Sequence, residues 1–485
     1  MPFFRFSLGL CLAMVALAPA VSAGQSVTGS STPSPAPQPS KPASKPPEFK
    51  NLRFEEDWTA SHNGHWDQAI KAIPIIPGKP VTLTFGGQAR WRFESFRSFN
   101  MLGQDDDNSQ SRLLLHGDLQ AGNRKGLHAR VFGEWRDAQS YGRDLPGGTR
   151  PNDADRNDTQ NLFADVAYGA SFIRYGRQEI ATNRERMFGV PDWSNTRRGS
   201  EGTRVQLTRW HLTLEGMDAR PVIVRQEAPN REDSTARFRT ISLGSAAGAK
   251  AYAKGLPDTW QGYFYQQDIH TSATTTRRNT GGGRTMWHWG KTPPRRAYSL
   301  ELEGALQRGT TGAKDLDGWF WIAESQVLVK QWHGAPTLAL GVEEASGEHT
   351  NTANAQEAFA ALYPAAHAHG GYADVIGRTN VRELHLISTW DPLAAVNLRA
   401  AWYRFDRLRL DDGVYNKQNG VFRAASGSTD RHAADELDVT GTWKATRHWR
   451  VIAGGAVVLP GAFMVHTPGS ATTEHWGFAG TSFTF

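Results

Sequence analysis

From Val81 to Glu94 the chain alternates for fourteen residues. Val81, Leu83, Phe85, Gly87, Ala89, Trp91 and Phe93 fall on one side, and Thr82, Thr84, Gly86, Gln88, Arg90, Arg92 and Glu94 on the other. A period of two is the mark of a strand, and this run is far longer than the about five or six residues usual in globular sheets. One greasy face and one ionised face over such a length suit a strand with an apolar medium on one side and water on the other. Beyond the N-terminal stretch, no apolar run approaches the ~20 residues that a membrane helix needs, and mean hydropathy is −0.52. A chain that crosses lipid without such runs can do so only as a closed barrel, because every backbone polar group must be paired internally.

The pattern recurs along the chain. Leu113, Leu115, Gly117, Leu119 and Ala121 oppose Arg112, His116, Asp118 and Gln120, with Leu114 as an exception. After Gly122–Gly126, Leu127, Ala129, Val131, Gly133 and Trp135 oppose His128, Arg130, Glu134 and Arg136, with Phe132 out of pattern. Further strands are expected near 160–169, 171–180, 201–210, 211–222, 235–245, 258–270, 284–290, 297–309, 316–331, 335–346, 380–391, 395–409, 433–446, 447–460 and 472–485. These make about 18 in all, an even count that puts both termini on the periplasmic side of an outer-membrane barrel. Connections at Tyr168–Ala170, Trp210-His211, Trp332–Ala335, Asp391–Leu393 and Thr446–His448 are tight. Those at Met101–Gln110, Ala138–Gln160, Ile180–Ser200, Glu348–Thr379 and Asp411–Arg431 are long and polar. Short periplasmic turns and long extracellular loops account for that sorting. The last strand sets Gly477, Ala479, Phe483 and the terminal Phe485 on one face. It resembles the final strand of outer-membrane barrels, which pairs with the first and whose terminal aromatic serves the insertion machinery.

Residues 1–23 read as a Sec signal peptide: Arg5, an apolar core to Ala20, then Val21-Ser22-Ala23. A retained anchor is the alternative. Residues 24–47, rich in Pro and Ser, cannot bury enough surface to order themselves and are expected as a disordered periplasmic linker. The barrel is expected over 48–485, with Asn51–Ile76 as a short amphipathic lead-in. Cys11, the one cysteine, lies in the leader, so the mature chain would have neither disulfide nor thiol metal site. The formal charge is +6, and loss of Arg5 with the leader would leave +5, with no basic run of the nucleic-acid-binding type.

Several blocks resemble the bacterial alginate-export family of outer-membrane porins: Arg53-Phe-Glu-Glu-Asp-Trp58, the first strand through Arg97, Ile173–Ile180, Asn195–Val205, Phe359-Ala-Ala-Leu-Tyr-Pro364 and Asp411-Asp-Gly-Val-Tyr415. They occur in order from about residue 50 to the C-terminus. The resemblance implies an all-β, antiparallel barrel of 18 strands and an Arg-rich lumen passing an anionic polyuronate. It also implies outer-membrane lipid as surroundings and a periplasmic secretion partner as a candidate.

With the apolar face toward lipid, charge belongs inside, since a basic residue on the lipid face at mid-membrane costs roughly 2–4 kcal/mol. The inward basic set is Arg90, Arg92, Arg112, Arg130, Arg136, Arg174, Arg204, Arg399, Lys444 and Arg450. Its acidic counterpart is Glu94, Asp118, Glu134, Asp165, Glu301, Glu303, Glu324, Glu343, Glu383 and Asp438. A guanidinium fork holds a carboxylate bidentately and stays charged. A close charge pair is worth about 4 kcal/mol at an effective dielectric of about 20, so interspersed carboxylates would flatten the well and allow release. The expected substrate-binding, pore-lining residues are Arg90, Arg92, Glu94, Arg112, Arg130, Glu134, Arg174, Arg204, Arg399 and Arg450, the Arg90/Arg92 pair foremost. The opposing reading has these charges bracing the wall without touching substrate.

Other constellations weigh less. Asp105-Asp-Asp-Asn108 reads as a solvated acidic loop rather than a Ca²⁺ or lipopolysaccharide bridge. His367-Ala-His369 with Asp374 lacks defined ligand geometry. Gly281-Gly-Gly-Arg284 lacks the Lys-Ser/Thr of a phosphate loop and reads as a flexible turn. Trp390, Trp443, Trp449, Phe483 and Phe485 read as an interfacial belt. No catalytic triad, metal site or cofactor motif stands out, and no enzyme activity is expected. The function expected is a passive, monomeric channel for an anionic polysaccharide. A general or uptake porin for small organic acids or sugars is the alternative, ahead of a secreted carbohydrate-active enzyme or a plugged structural barrel.

Overall fold

The computed structural model describes residues 47–58, 66–145, 148–182, 184–248, 255–290, 296–349 and 354–485. The leader expected over 1–23 and the linker expected over 24–47 lie outside these residues, Pro47 apart.

Eighteen long strands form one closed antiparallel barrel. In chain order they are β1 (Val81–Arg97), β2 (Asp106–Gly122), β3 (Leu127–Tyr141), β4 (Asp155–Tyr168), β5 (Ser171–Gln178) and β6 (Ser200–Arg209). Next come β7 (Leu212–Ile223), β8 (Ala236–Ser245), β9 (Thr259–His270), β10 (Thr275–Trp289), β11 (Arg296–Thr311) and β12 (Lys314–Val329). The last six are β13 (Thr337–Ala345), β14 (Val381–Leu393), β15 (Val396–Arg407), β16 (His432–Lys444), β17 (Trp449–Pro460) and β18 (Glu474–Thr484). Each pairs with its neighbour, and β1 closes the ring on β18, from Gln88 opposite Thr484 to Arg97 opposite His475. Closure removes the free edges that an open sheet would present.

Period two sorts the side chains as expected. Phe85, Trp91, Val166, Leu340 and Val439 are exposed on the outside, while Arg92, Arg112, Glu301 and Glu436 are buried on the inside. Trp390, Trp443 and Trp449 stand exposed on the outer face near the short-turn end. The two breaks in the pattern, Leu114 and Phe132, also face inward and are almost fully buried. Phe132 is apolar because it packs against Phe54 and Phe163 inside the barrel. The main apolar cluster is likewise internal and includes Phe188, Phe238, Tyr265, Phe320, Phe359, Ile376, Phe405, Met464 and Trp476.

Three expectations need correction. Gly281-Gly-Gly-Arg284 is not a turn but the middle of β10, which begins at Thr275 rather than near 284. A Cβ on Gly282 would come within 2.7 Å of the Tyr263 ring and of Ala305, so the small residues let the neighbouring strands' side chains lie across β10. Asp105–Asn108 is not a solvated loop: Asp106 to Asn108 belong to β2, where Asp106 is buried against Arg143 at 2.5 Å and Asp107 points outward to Arg97 at 2.9 Å. The alternation of connection lengths also has exceptions. Residues 271–274 and 312–313 are short at the long-loop end, whereas 246–258 is long at the other.

Candidate functional site

The connection from β5 to β6, residues 179–199, folds into the bore and lies against the wall made by β1 to β3. There the expected arginines converge. Arg90 donates to the Asp192 carbonyl at 2.5 Å and the Asn195 Oδ1 at 3.0 Å. Arg92 donates to the Trp193 carbonyl at 2.7 Å and to Gln110 at 2.7 Å, pairs with Glu94 at 3.0 Å, and lies 3.9 Å over the Trp193 ring. Arg112 binds the Asp192 carboxylate and the Gln88 Oε1, both at 2.8 Å. Arg136, on β3, holds Gln160, Asp155 and the Thr196 carbonyl. Asn195 anchors the strap by donating from Nδ2 to the carbonyls of Ser111 and Asp153, both at 2.9 Å.

The same strap carries its own ions. Arg197 spans Asp192 at 3.0 Å and Glu179 at 2.6 Å. Burial works against its charge, but Glu179 and Asp192 outweigh burial and hold its pKa above the ordinary value. Burial also works against the charge of the Asp192 carboxylate, yet Arg112, Arg197 and Arg90 together keep its pKa well below the usual range. Asp192 nonetheless leaves 46% of its side chain open to the bore.

Across the bore the wall is acidic and the strap's other end is basic. Arg186 pairs with Glu301 at 2.5 Å and Glu303 at 2.8 Å, and Arg184 with Glu301 at 2.8 Å. The second infolded connection, residues 346–380, sends Arg378 to Glu343. His385 of β14 bridges Glu383 at 2.9 Å and Glu324 at 3.2 Å. His367 and His369 do not converge as ligands. His367 stacks on Trp193 at 4.4 Å with Asp374 at 3.2 Å, whereas His369 Nε2 meets the Arg184 carbonyl at 2.5 Å.

The remaining expected residues spread down the wall. Arg130 binds Asp118 through two nitrogens at 2.7 and 2.6 Å, Arg174 binds Asp165 at 2.8 Å, and Arg204 binds Glu215 at 2.5 Å. Glu134 accepts from Asn161 at 3.0 Å. Arg399 reaches the Tyr403 hydroxyl at 2.7 Å and Asp438 at 3.5 Å. Arg450 shares the inward register of Ala456 and Val458 and is exposed near the short-turn end. The structure thus puts Arg90, Arg92, Glu94 and Arg112 together and leaves the other expected residues apart from them.

The lead-in expected at 51–76 enters the short-turn mouth. Phe54 wedges edge-on between Phe132 and Phe163, with centroids 5.7 and 5.2 Å away. Its carbonyl accepts from Arg130 at 2.5 Å, and that of Asn51 from Arg197 at 3.0 Å. Arg447 holds the Pro47 carbonyl at 2.9 Å and Asp67 at 2.7 Å. Lys71 donates to the Phe85 carbonyl at 2.7 Å and lies 4.6 Å over Trp58. The close approach passes Gly86, where a Cβ would stand 2.6 Å from the Lys71 amine. Burial pushes that amine down from 10.5 to about 8, against the pull of Glu56 and Asp67.

Between the strap, the second infolded connection and the β1–β3 wall lies a cavity of about 590 Å³. Its lining carries Arg92, Arg136, Arg143, Arg150, Arg177, Arg197, Arg198 and Lys417 against Glu94, Asp153 and Asp374. Sequence reasoning missed Arg143, Arg150, Arg177, Arg197, Arg198 and Lys417. Most sit on connections where no period marks a face; Arg177, at the end of β5, shares the odd register of outward-facing Ile173 and Tyr175.

Among curated proteins, no sequence matches the chain. Solved outer-membrane proteins of Pseudomonas aeruginosa share its fold. OpdO aligns at a TM-score of 0.56 with 12% identity, covering 83% of this chain and 97% of its own. OccD3 (OpdP) aligns at 0.56 with 12% identity over 86% and 93%, and OpdK at 0.55 with 11% over 83% and 98%. At that identity the likeness speaks for the barrel alone. The alginate export family matches residues 81–478 in sequence. That match spans all but the last few residues of the barrel, and with the closed, inwardly charged architecture it makes this an outer-membrane channel. The chain belongs to the alginate export family.

Proposed function

We propose that the channel passes an anionic polysaccharide of the polyuronate type by diffusion, attracted by the guanidinium-lined cavity. The observation that carries this reading is the imbalance around that cavity, eight basic side chains against three acidic ones. Partners of those arginines, such as Asp106, Asp155 and Glu179, are absent from its lining. An ion in the cavity therefore meets guanidinium groups before carboxylates, and a cleft lined by one sign of charge concentrates the opposite ion. Several sites of moderate depth suit a polymer that must also leave. Arg90, Arg92, Arg112, Arg130, Arg174, Arg204, Arg399 and Arg450 would draw carboxylates along the wall, and Glu94 and Glu134 would ease release.

The two infolded connections favour one second reading, a channel for small organic anions that need less room than a chain. Single-channel recording separates the two. Oligouronates should block current at concentrations where neutral oligosaccharides do not, with block strengthening as the oligomer lengthens. Block by short organic acids with no dependence on oligomer length would favour the second reading.

A further inference from the structure

The barrel carries another charged array on the outside, where the neighbour is lipid rather than the bore. On β8, Ile241 and Leu243 are exposed on the outer face, and the next two positions of that register toward the long-loop end are Arg239 and Arg237. Strand pairing sets Asp218 of β7 opposite Arg239 and Asp268 of β9 opposite both Arg237 and Arg277 of β10. The side chains link into a chain. Arg237 and Arg239 share Asp218, while Arg239 and Arg277 share Asp268 at 3.1 and 2.9 Å. Arg220 stands alongside, donating to the Ser234 carbonyl at 2.8 Å. A groove of about 230 Å³ opens among these arginines.

Four guanidinium groups stand around Asp218, Asp268 and, at 3.9 Å from Arg220, Glu232, and still leave a net positive patch. The shared carboxylates hold the arginines in a fixed spread without neutralising them. Among the described residues, Arg277 engages its partner through Nε alone, with its side chain 60% exposed, so both Nη groups are available to a ligand. Exposed ion pairs add little to stability, so bracing the sheet does not account for the array. Its position does suggest an occupant. It sits one register step above the apolar band of Ile241, Leu243 and Phe264, at the long-loop end, which faces the cell exterior in such barrels. A lipid whose acyl chains lie against that band presents its headgroup at this height. We propose that the outer face of β7–β10 binds the phosphorylated headgroup of an outer-leaflet glycolipid, with Arg237, Arg239 and Arg277 as the phosphate ligands. Arginine forks match phosphate oxygens bidentately. The proposal stands apart from the identity of the transported substrate.

The test is native mass spectrometry of the full-length barrel released from nanodiscs containing bisphosphorylated lipid A. The wild type should retain the lipid, and the triple variant R237Q/R239Q/R277Q should retain it about tenfold less, with single-channel current unchanged because the array faces away from the bore. R277Q alone, at the most exposed position, should show a smaller loss in the same direction and covers the case in which the triple variant fails to fold. The wild type should also prefer lipid A over its dephosphorylated form. Equal retention by wild type and variants, or of both lipid forms, would overturn the proposal. So would full displacement by inorganic phosphate at matched concentration, which would mark a free-anion site. Barrel dimers that the R277Q variant dissolves would assign the face to a second copy of the chain and overturn it as well.

Discussion

Both walls of the bore lean on the same infolded strap, yet they meet it through different chemistry. Arg90, Arg92 and Arg112 all donate to main-chain carbonyls of residues 192–194, and Arg92 and Arg112 also pair with Glu94 and Asp192, so two carboxylates stand against three guanidinium groups. Glu301 and Glu303 are satisfied by Arg186 and Arg184 of the strap, and Glu343 by Arg378 of the second infolded connection, guanidinium groups that do cancel charge. Buried ions need partners on either side. Among the described residues Arg90 has no ion pair of its own, whereas Glu301, Glu303 and Glu343 each pair with a guanidinium group. In the proposed function, the guanidinium excess around the cavity is what lets a bore that also holds many carboxylates favour anions.

The largest effect is expected on the neutralised side. Arg186→Ala leaves buried Glu303 without its ion-pair partner, while Glu301 keeps Arg184 and Arg284, and should cost about 3 kcal/mol, read as a fall in the thermal unfolding midpoint of the barrel. An unchanged midpoint would break the contrast, because it would mean that those carboxylates are not held by the strap. Next comes the mouth below the electropositive side. Phe54→Ala removes the wedge between Phe132 and Phe163 and should weaken docking of the lead-in by about 3 kcal/mol. Single-channel conductance should rise and protease should cut near residue 54 sooner. Smaller again is the effect of Arg90→Ala with Arg92→Ala. Removing two charges, each worth about 1 kcal/mol in water at contact distance, should lower the anion-to-cation permeability ratio by about fivefold or more. An unchanged ratio would assign the pair to bracing alone.

A pH dependence is also expected at the mouth. The Lys71 amine sits near 8 when docked and near 10.5 when free. The docked state therefore holds fewer protons between those values, and docking strengthens as pH rises from about 8 to about 10.5. Below 8 it keeps the full penalty of a buried charge. Protease protection of the lead-in should increase across that window, and Lys71→Met should flatten the rise.

Much of this was legible because a strand with lipid on one side has no choice of face. The number of strands and the inward face of their arginines follow from period two, and the pairing of the last strand with the first from its resemblance to the final strand of outer-membrane barrels. The breaks were informative too. Phe132 marked a place where something apolar fills the barrel, namely Phe54 from the lead-in. The connections were not legible. Residues 179–199 and 346–380 have no period, and their inward course is set by partners far away in sequence, such as Asn195 with Ser111 and Arg378 with Glu343. Gly281–Gly283 misled because glycine serves turns and close packing alike, and only the Tyr263 ring distinguishes them.

The central claim is that an electropositive cavity sets the traffic of this barrel. The reversal potential of the purified wild-type channel in a potassium chloride gradient tests it most directly. The potential should be displaced toward the chloride equilibrium value, with the displacement shrinking as ionic strength rises and screens the arginines. A potential at zero, or one displaced toward potassium, would contradict it.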